Sequence, residues 1–278
     1  MQNQQNRQPP SFFDWYRAGI DQDPTLIVQL LQQEYPHSTF EPRRPSFGYQ
    51  YGAAMLAPDG DQMAFMQYGG SNVGTRTLLE SSGSKSHQFA LSVRDLFPDH
   101  LLLRGDIAKD YMGGKADFKS ITRAIIQTAK RNRVGTSVAG DWIDGVKGRT
   151  LYAGSRTSPV YLRCYEKGLQ DPLLGNTDII RLELEFKPKR EDARATYATT
   201  SPEDFWGANR FLVDLTRVLG SNVSLQPSSG SLHQPTDQER SWNWMLKQYA
   251  KVIARQAEIK GGCPTALGLS LLGVDDSL

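Results

Sequence analysis

Residues 179–187 read Ile-Ile-Arg-Leu-Glu-Leu-Glu-Phe-Lys. Apolar and charged residues alternate, the mark of a strand with one buried face. Leu182, Leu184 and Phe186 would supply a core, while Arg181, Glu183, Glu185 and Lys187 share the opposite face. The preceding run Tyr161-Leu-Arg-Cys-Tyr-Glu-Lys167 alternates likewise. Tyr161, Arg163, Tyr165 and Lys167 share one face, with Leu162, Cys164 and Glu166 behind. No helical pattern separates these runs, so antiparallel pairing in one sheet is expected.

Two more strands carry polar stripes. His100 to Tyr111 puts Arg104, Asp106 and Asp110 on one face, with Leu103, Ile107 and Lys109 on the other. Arg149 to Ser155 puts Tyr152 and Gly154 together and leads into Gly154-Ser155-Arg156-Thr157-Ser158. Helices are expected at Ser11–Ala18, at Thr25–Glu34, at Ser86–Phe97 and from Ser120 to Gly135. Two more are expected from Ser201-Pro202 to Leu219 and at Glu239–Lys260. The last carries Trp242, Leu246, Tyr249 and Ile253 on one face, suited to a core or an interface. A β-hairpin is expected in Phe47–Tyr68 around Pro58-Asp59-Gly60, and loops at Gly69–Ser86 and Gly220–Pro235. The resulting class is α+β: a central antiparallel sheet, helices packed on one face, and an active site on the open face. Residues 1–10 read as a disordered lead, 11–220 as a catalytic domain, and 221–278 as a C-terminal helix and tail.

Composition narrows the function. The 278 residues include 11 Phe, 11 Tyr and 5 Trp at a formal net charge of +2, which excludes a disordered chain. Only Cys164 and Cys263 are present, so a disulfide scaffold is excluded and a reducing compartment such as a cytoplasm is expected. No apolar run reaches the roughly 18 residues of a membrane span, and Met1 to Pro10 lacks the apolar region of a secretory signal. Near-neutral charge suits a nuclease-like enzyme, whose metal-binding acids offset its phosphate-binding Lys and Arg.

If the striped strands are neighbours, one sheet face gathers acids, arginines, a lysine and tyrosines. Carboxylates that close stay ionised only with a cation among them. All-oxygen ligands suit Mg²⁺ or Mn²⁺, which would polarise a phosphodiester. Arginine and lysine would hold its non-bridging oxygens. A solvated face of an antiparallel sheet also shows alternating charge. All four stripes together are what a metal-phosphate site needs. Lys130, Arg131 and Arg133, at a helix end, would track a DNA backbone or simply complement the helix dipole.

These runs resemble the rolling-circle replication initiator family of plasmids, integrative elements and filamentous phages. Gly148 to Ser158, Tyr161 to Lys167, Arg181 to Lys187 and Leu103 to Asp110 match its motifs in order, over roughly residues 45–220. The resemblance implies Tyr165 as the nucleophile that nicks one DNA strand and stays joined to the 5′ phosphate. It implies Asp106, Asp110 and Glu183 as metal ligands, with Glu185 a fourth. Arg163 and Lys167 would bind the scissile phosphate, with Arg181 in support. Arg104, Ser155 and Arg156 would join the DNA-binding surface, Gly154 and Ser155 allowing close backbone approach. Gly105 stands where the family usually has a larger apolar residue. His37, His87, His100 and His233 are scattered, as surface residues would be, so a histidine-dependent nicking enzyme is not supported.

The activity expected is origin-specific nicking and rejoining, with a host helicase and polymerase as partners and a homodimer as the working unit. Tyr161 and Tyr152 compete with Tyr165 for the nucleophile. A non-enzymatic origin-binding regulator and a metal nuclease using water are the rival readings; a covalent tyrosine adduct separates them.

Overall fold

The computed structural model describes residues 9–71, 74–171, 175, 178–226, 229 and 237–271. In chain order the elements are β1 (Phe12–Ile20), α1 (Pro24–Glu34), β2 (Thr39–Pro42), β3 (Tyr51–Leu56), β4 (Gln62–Tyr68) and β5 (Thr77–Ser82). Then come α2 (Ser86–Leu96), β6 (Leu101–Met112), α3 (Lys115–Arg131), β7 (Thr136–Gly140), β8 (Arg149–Gly154) and β9 (Val160–Glu166). Last are α4 (Lys167–Gln170), β10 (Ile179–Phe186), α5 (Glu191–Thr199), α6 (Arg210–Val218), α7 (Asp237–Ile259) and α8 (Pro264–Leu271). The chain divides into two compact units, Met1–Ser231 and Leu232–Leu278.

The first unit is built on a 10-stranded sheet in the order β2-β3-β4-β5-β1-β6-β10-β9-β8-β7. Every neighbouring pair is antiparallel. Ile107, Leu162, Cys164, Leu182, Leu184 and Phe186 point to the covered side and join one core with Phe89, Ile125, Tyr197 and Phe205 from the helices and turns. The opposite side keeps the polar stripes. α1 starts where the Asp23 carboxylate accepts the N–H groups of Thr25 and Leu26 at 2.8 and 3.4 Å, with Pro24 at the first turn. Among the described residues no helix is long and apolar enough to cross a membrane.

The expected sheet is present, and several elements differ from expectation. Residues 12–20 form a strand instead of a helix. A bulge between Phe13 and Trp15 inserts Asp14, so Phe13 and Tyr16 both face the core at a spacing of three that imitates a helix. β5 lies inside the expected loop at Gly69–Ser86, with Thr77, Leu78 and Leu79 buried between β4 and β1. α3 begins at Lys115, ahead of Ser120, and its start is capped by the Asp117 carboxylate, which accepts from the Gly114 N–H at 3.0 Å. β7 and α5 were not anticipated, and the expected helix after Pro202 splits into a short turn at Asp204–Gly207 and α6. α8 replaces part of the expected tail. Trp242, Leu246 and Tyr249 of α7 are exposed. The lead at residues 1–8 and His233 lie outside the described residues.

Candidate active site on the open sheet face

Strand register lines up the stripes in rows. One row runs Thr150–Tyr165–Arg181–Asp110, the next Tyr152–Arg163–Glu183–Ala108–Phe12, and the third Gly154–Tyr161–Glu185–Asp106–Trp15. Side chains opposite one another on neighbouring strands lie about 5 Å apart, so these groups must interact.

Arginines and acids interleave. Arg104 donates from Nε and Nη2 to the two Asp106 oxygens at 2.9 and 2.7 Å, and from Nη2 to Glu185 at 3.1 Å. Arg163 Nη2 donates to Asp106 at 3.2 Å and also to Glu183 Oε1. The Tyr165 hydroxyl donates to Glu183 Oε2 at 2.9 Å. Arg181 grips Asp110 with two bonds of 2.7 and 2.8 Å and reaches Asp14 at 2.7 Å. Arg104 also lies 4.2 Å from the Trp15 ring and Arg181 5.2 Å from the Phe12 ring, within cation–π range.

Burial dominates the electrostatics. It raises the proton affinity of Asp106 despite Arg104 and Arg163. Glu183 is pushed up to about 7 by burial, opposed by Arg163 and reinforced by Asp106 and Asp14. Burial, then the charge of Glu183, holds the Tyr165 phenol well above its ordinary range. The Arg163 Nε is buried and makes no hydrogen bond.

Eight of the sequence-derived residues therefore meet: Tyr165, Arg163, Asp106, Asp110, Glu183, Glu185, Arg104 and Arg181. Lys167 does not share their strand face. It opens α4, and its Nζ lies 3.5 Å from Asp171. Ser155 and Arg156 lie in the β8–β9 turn, where Ser155 Oγ meets Thr157 Oγ1 at 2.9 Å and Arg156 lies 5.9 Å from the Tyr161 ring. Gly154 has φ +96, and a Cβ there would come within 3.1 Å of the Val160 carbonyl, so the turn itself requires glycine. Lys130, Arg131 and Arg133 are exposed at the end of α3, whose Ile125 and Ala129 pack into the core on the covered side of the sheet. His100 is not a surface residue: it is 2% exposed and bonded to Tyr16. Phe12, Asp14 and Trp15 join the site unforeseen, because the bulge disguised their strand as a helix.

Among the described residues no three of His, Cys, Asp and Glu gather to hold a metal ion, because arginines separate the acids. The donor chemistry still fits a hard divalent cation at Asp106 and Glu183. Both are buried oxygen donors, and both reach the same Arg163 nitrogen. Mg²⁺ commonly takes one or two carboxylates and completes its shell with water and phosphate. Asp110 pairs with Arg181, and Glu185 with Arg104 and Lys187, so neither meets the Arg163 nitrogen that Asp106 and Glu183 share.

The sequence matches the replication initiation factor family over residues 101–252, more than half of the chain. No curated protein matches it. The structure is similar to that of a rolling circle replication initiator protein from Geobacillus stearothermophilus, with TM-score 0.52 and 16% identity over 78% of this chain and 99% of that one. At that identity the likeness is one of fold. The matched span holds the whole Tyr165 cluster apart from the β1 residues, and the chain belongs to the replication initiation factor family.

Proposed function

We propose that this chain starts rolling-circle replication by nicking and rejoining one DNA strand, with Tyr165 as the nucleophile. The observation that carries this is the 2.9 Å hydrogen bond from the Tyr165 hydroxyl to Glu183 Oε2 on the open sheet face. A buried phenol is a poor nucleophile until a neighbour takes its proton. Glu183 Oε2 stands where that proton leaves. The Tyr165 oxygen attacks phosphorus, the bond to the 3′ oxygen breaks, and that oxygen departs as a hydroxyl after taking up a proton. One phosphodiester replaces another, so a 3′ hydroxyl can later attack the phosphotyrosine, return the proton to Tyr165 and reseal the strand.

Arg181, directly opposite Tyr165, and Arg163, on the next row, would hold the non-bridging oxygens. A divalent cation, Mg²⁺ or Mn²⁺, would be held by Asp106 and Glu183 and would stabilise charge on the phosphoryl oxygens. The free 3′ end would prime a host polymerase behind a host helicase, and a second copy of the chain would serve termination. Tyr161 is the weaker nucleophile. It is 6% exposed, and its ring stacks on Tyr152 at 5.6 Å and 10°.

The test is to incubate the protein, Mg²⁺ or Mn²⁺ and a supercoiled plasmid carrying the replicon that encodes it, then denature in SDS and map the nick. Protein joined to a 5′ end with wild type and absent with Tyr165→Phe supports the reading. An adduct that persists in Tyr165→Phe moves the nucleophile to Tyr161 or Tyr152. Nicks without adduct indicate attack by water, and binding without nicks indicates a regulator.

A further inference from the structure

Arg104 and Arg181 each grip one carboxylate with two nitrogens, Nε and Nη2. Arg163 is seated differently. Its Nη2 alone meets Asp106 Oδ2, at 3.2 Å, and Glu183 Oε1, while its Nε is buried without a partner. A guanidinium holds carboxylate or phosphate best with two N–H groups side by side, and a buried N–H without an acceptor is destabilising. Arg163 is therefore the least satisfied arginine of the site. It is also the most open, its side chain 29% exposed against 18% for Arg104 and 9% for Arg181.

The oxygens that Arg163 holds are those a cation shared by Asp106 and Glu183 needs. Glu183 Oε2 is taken by the Tyr165 hydroxyl, and Asp106 Oδ1 by Arg104 Nε. Asp106 Oδ2 also accepts from Arg104 Nη2, and a carboxylate oxygen has two lone-pair sites, so Arg163 takes up the second. Arg163 cannot simply withdraw. Glu183 would keep no cation, and it would face Asp106, 1% exposed, as a buried like charge. The guanidinium thus leaves these oxygens only as another cation arrives, and it needs an acceptor of its own.

We propose that Arg163 is an exchange partner that couples DNA to the metal: it passes from Asp106 and Glu183 to the DNA phosphate as Mg²⁺ or Mn²⁺ takes its place on the two carboxylates. This rests on the nicking reading above, whose phosphate and metal roles cannot both be filled while Arg163 bridges the acids. On a phosphate, Nε and Nη2 can donate together, which satisfies the nitrogen that is unpartnered here. Coupling of this kind is reciprocal: DNA must tighten the metal by the factor by which the metal tightens DNA.

The experiment reads free Mn²⁺ by electron paramagnetic resonance in Tyr165→Phe, which lacks the attacking hydroxyl, and in the same protein carrying Arg163→Gln or Arg163→Lys. Each is measured alone and with a saturating single-stranded oligonucleotide spanning the mapped nick site, the Mn²⁺ held by the oligonucleotide itself being subtracted. In the parent the oligonucleotide should tighten Mn²⁺ by about tenfold or more, and anisotropy of the labelled oligonucleotide should show the same factor on adding Mn²⁺. Arg163→Gln should tighten Mn²⁺ by a similar factor without DNA and change it little with DNA, so the coupling shrinks. Arg163→Lys keeps a cation against the carboxylates and should bind Mn²⁺ as weakly as the parent without DNA. Equal tightening by Arg163→Gln with and without DNA would report only a lost positive charge and overturn the exchange, as would no tightening at all. If Mn²⁺ binds none of these proteins even with DNA, the assignment of metal to Asp106 and Glu183 fails and the exchange goes with it, while tyrosine nicking stands or falls by its own adduct assay.

Discussion

Glu183 serves Tyr165 and Arg163 with different oxygens: Oε2 accepts from the Tyr165 hydroxyl at 2.9 Å, and Oε1 accepts from Arg163. The strand pairing puts Arg163 directly opposite Glu183 and Arg181 directly opposite Tyr165, so the phenol reaches its acceptor diagonally. The phenol proposed to attack and the guanidinium proposed to hold phosphate thus share one carboxylate.

Replacing Glu183 by Gln keeps the shape and removes the proton affinity. Adduct formation on single-stranded DNA should fall by about 10²–10⁴-fold, the usual contribution of a general base. Binding of the same oligonucleotide, read by fluorescence anisotropy, should change little. An unchanged adduct rate would remove Glu183 from proton transfer.

Asp106 and Asp110 should separate in a metal titration. Asp106→Asn should weaken Mn²⁺ binding to the DNA-free protein by about tenfold or more. Asp110→Asn should leave Mn²⁺ binding nearly unchanged, because that carboxylate pairs with Arg181 and not with the Arg163 nitrogen at which Asp106 and Glu183 meet. Its effect should appear in nicking, through a loosened Arg181. Electron paramagnetic resonance of free Mn²⁺ reads the first quantity directly; equal losses in both variants would return Asp110 to the metal's coordination shell.

His100 makes stability depend on pH. Its Nδ1 lies 2.7 Å from the Phe97 carbonyl, which only accepts, so Nδ1 carries the proton and Nε2 accepts from the Tyr16 hydroxyl at 2.6 Å. Arg94 Nε donates to that hydroxyl at 3.2 Å. Burial, opposed by the Phe97 bond, holds His100 below its ordinary value. Between that lowered value and about 6.5 the unfolded chain binds more protons, so stability rises with pH across this window and levels off above it. His87, lowered first by burial, acts in the same direction. Glu183, raised to about 7, and Asp106 act in the opposite direction over the same window, so the His100 contribution is read by difference: the change in thermal unfolding midpoint from about pH 5 to about pH 7 should be less positive in His100→Gln than in wild type. An unaltered slope in that variant would put the titration elsewhere.

The sequence carried the site more clearly than it carried the sheet's edges. Alternation in 161–167 and 179–187 exposed the rows of the candidate site, since central strands must separate a core face from an open face. Lys167 defeats the same rule: the alternation continues into it while the backbone has already turned into α4. β1 stayed hidden because one inserted residue, Asp14, converts a period of two into a spacing of three. β7 stayed hidden because all its residues are exposed, so it shows no hydrophobic pattern. The arginine–acid pairing that spaces the carboxylates depends on which oxygen faces which nitrogen, and no linear pattern encodes that.

Two glycines should respond oppositely to alanine. At Gly105 a Cβ would make ordinary contacts, 3.5 Å from Ile107 and 3.8 Å from Leu102. Gly105→Ala should therefore stabilise by about 0.5 kcal/mol, by restricting the unfolded chain. At Gly154 the left-handed φ and the 3.1 Å approach to the Val160 carbonyl make Gly154→Ala destabilising by about 1–2 kcal/mol. Urea unfolding of the two variants distinguishes these signs.

Lys109 is 2% exposed on the covered face of β6, a position the alternation reserves for core. Its ammonium meets Glu203 at 2.6 Å and lies 5.4 Å from the Trp206 ring. Glu203 also accepts from Ser11 Oγ at 2.7 Å, and Ser11 accepts from Trp206 Nε1 at 2.9 Å, so a polar chain ties β6 to the segment before β1 and to the turn at Asp204–Gly207. Removing one partner of a buried pair leaves a charge without compensation, at a cost of about 3–5 kcal/mol. Because Glu203 is 46% exposed, water can approach the stranded ammonium and Glu203→Ala should cost about 2–3 kcal/mol. Lys109→Met, which removes the charge and keeps the volume, should cost less than about 1.5 kcal/mol. In the double variant the loss of Glu203 should add little to Lys109→Met, since no buried charge remains to strand. Additive effects in urea unfolding would show that Lys109 is held by its contacts with the core and not by Glu203.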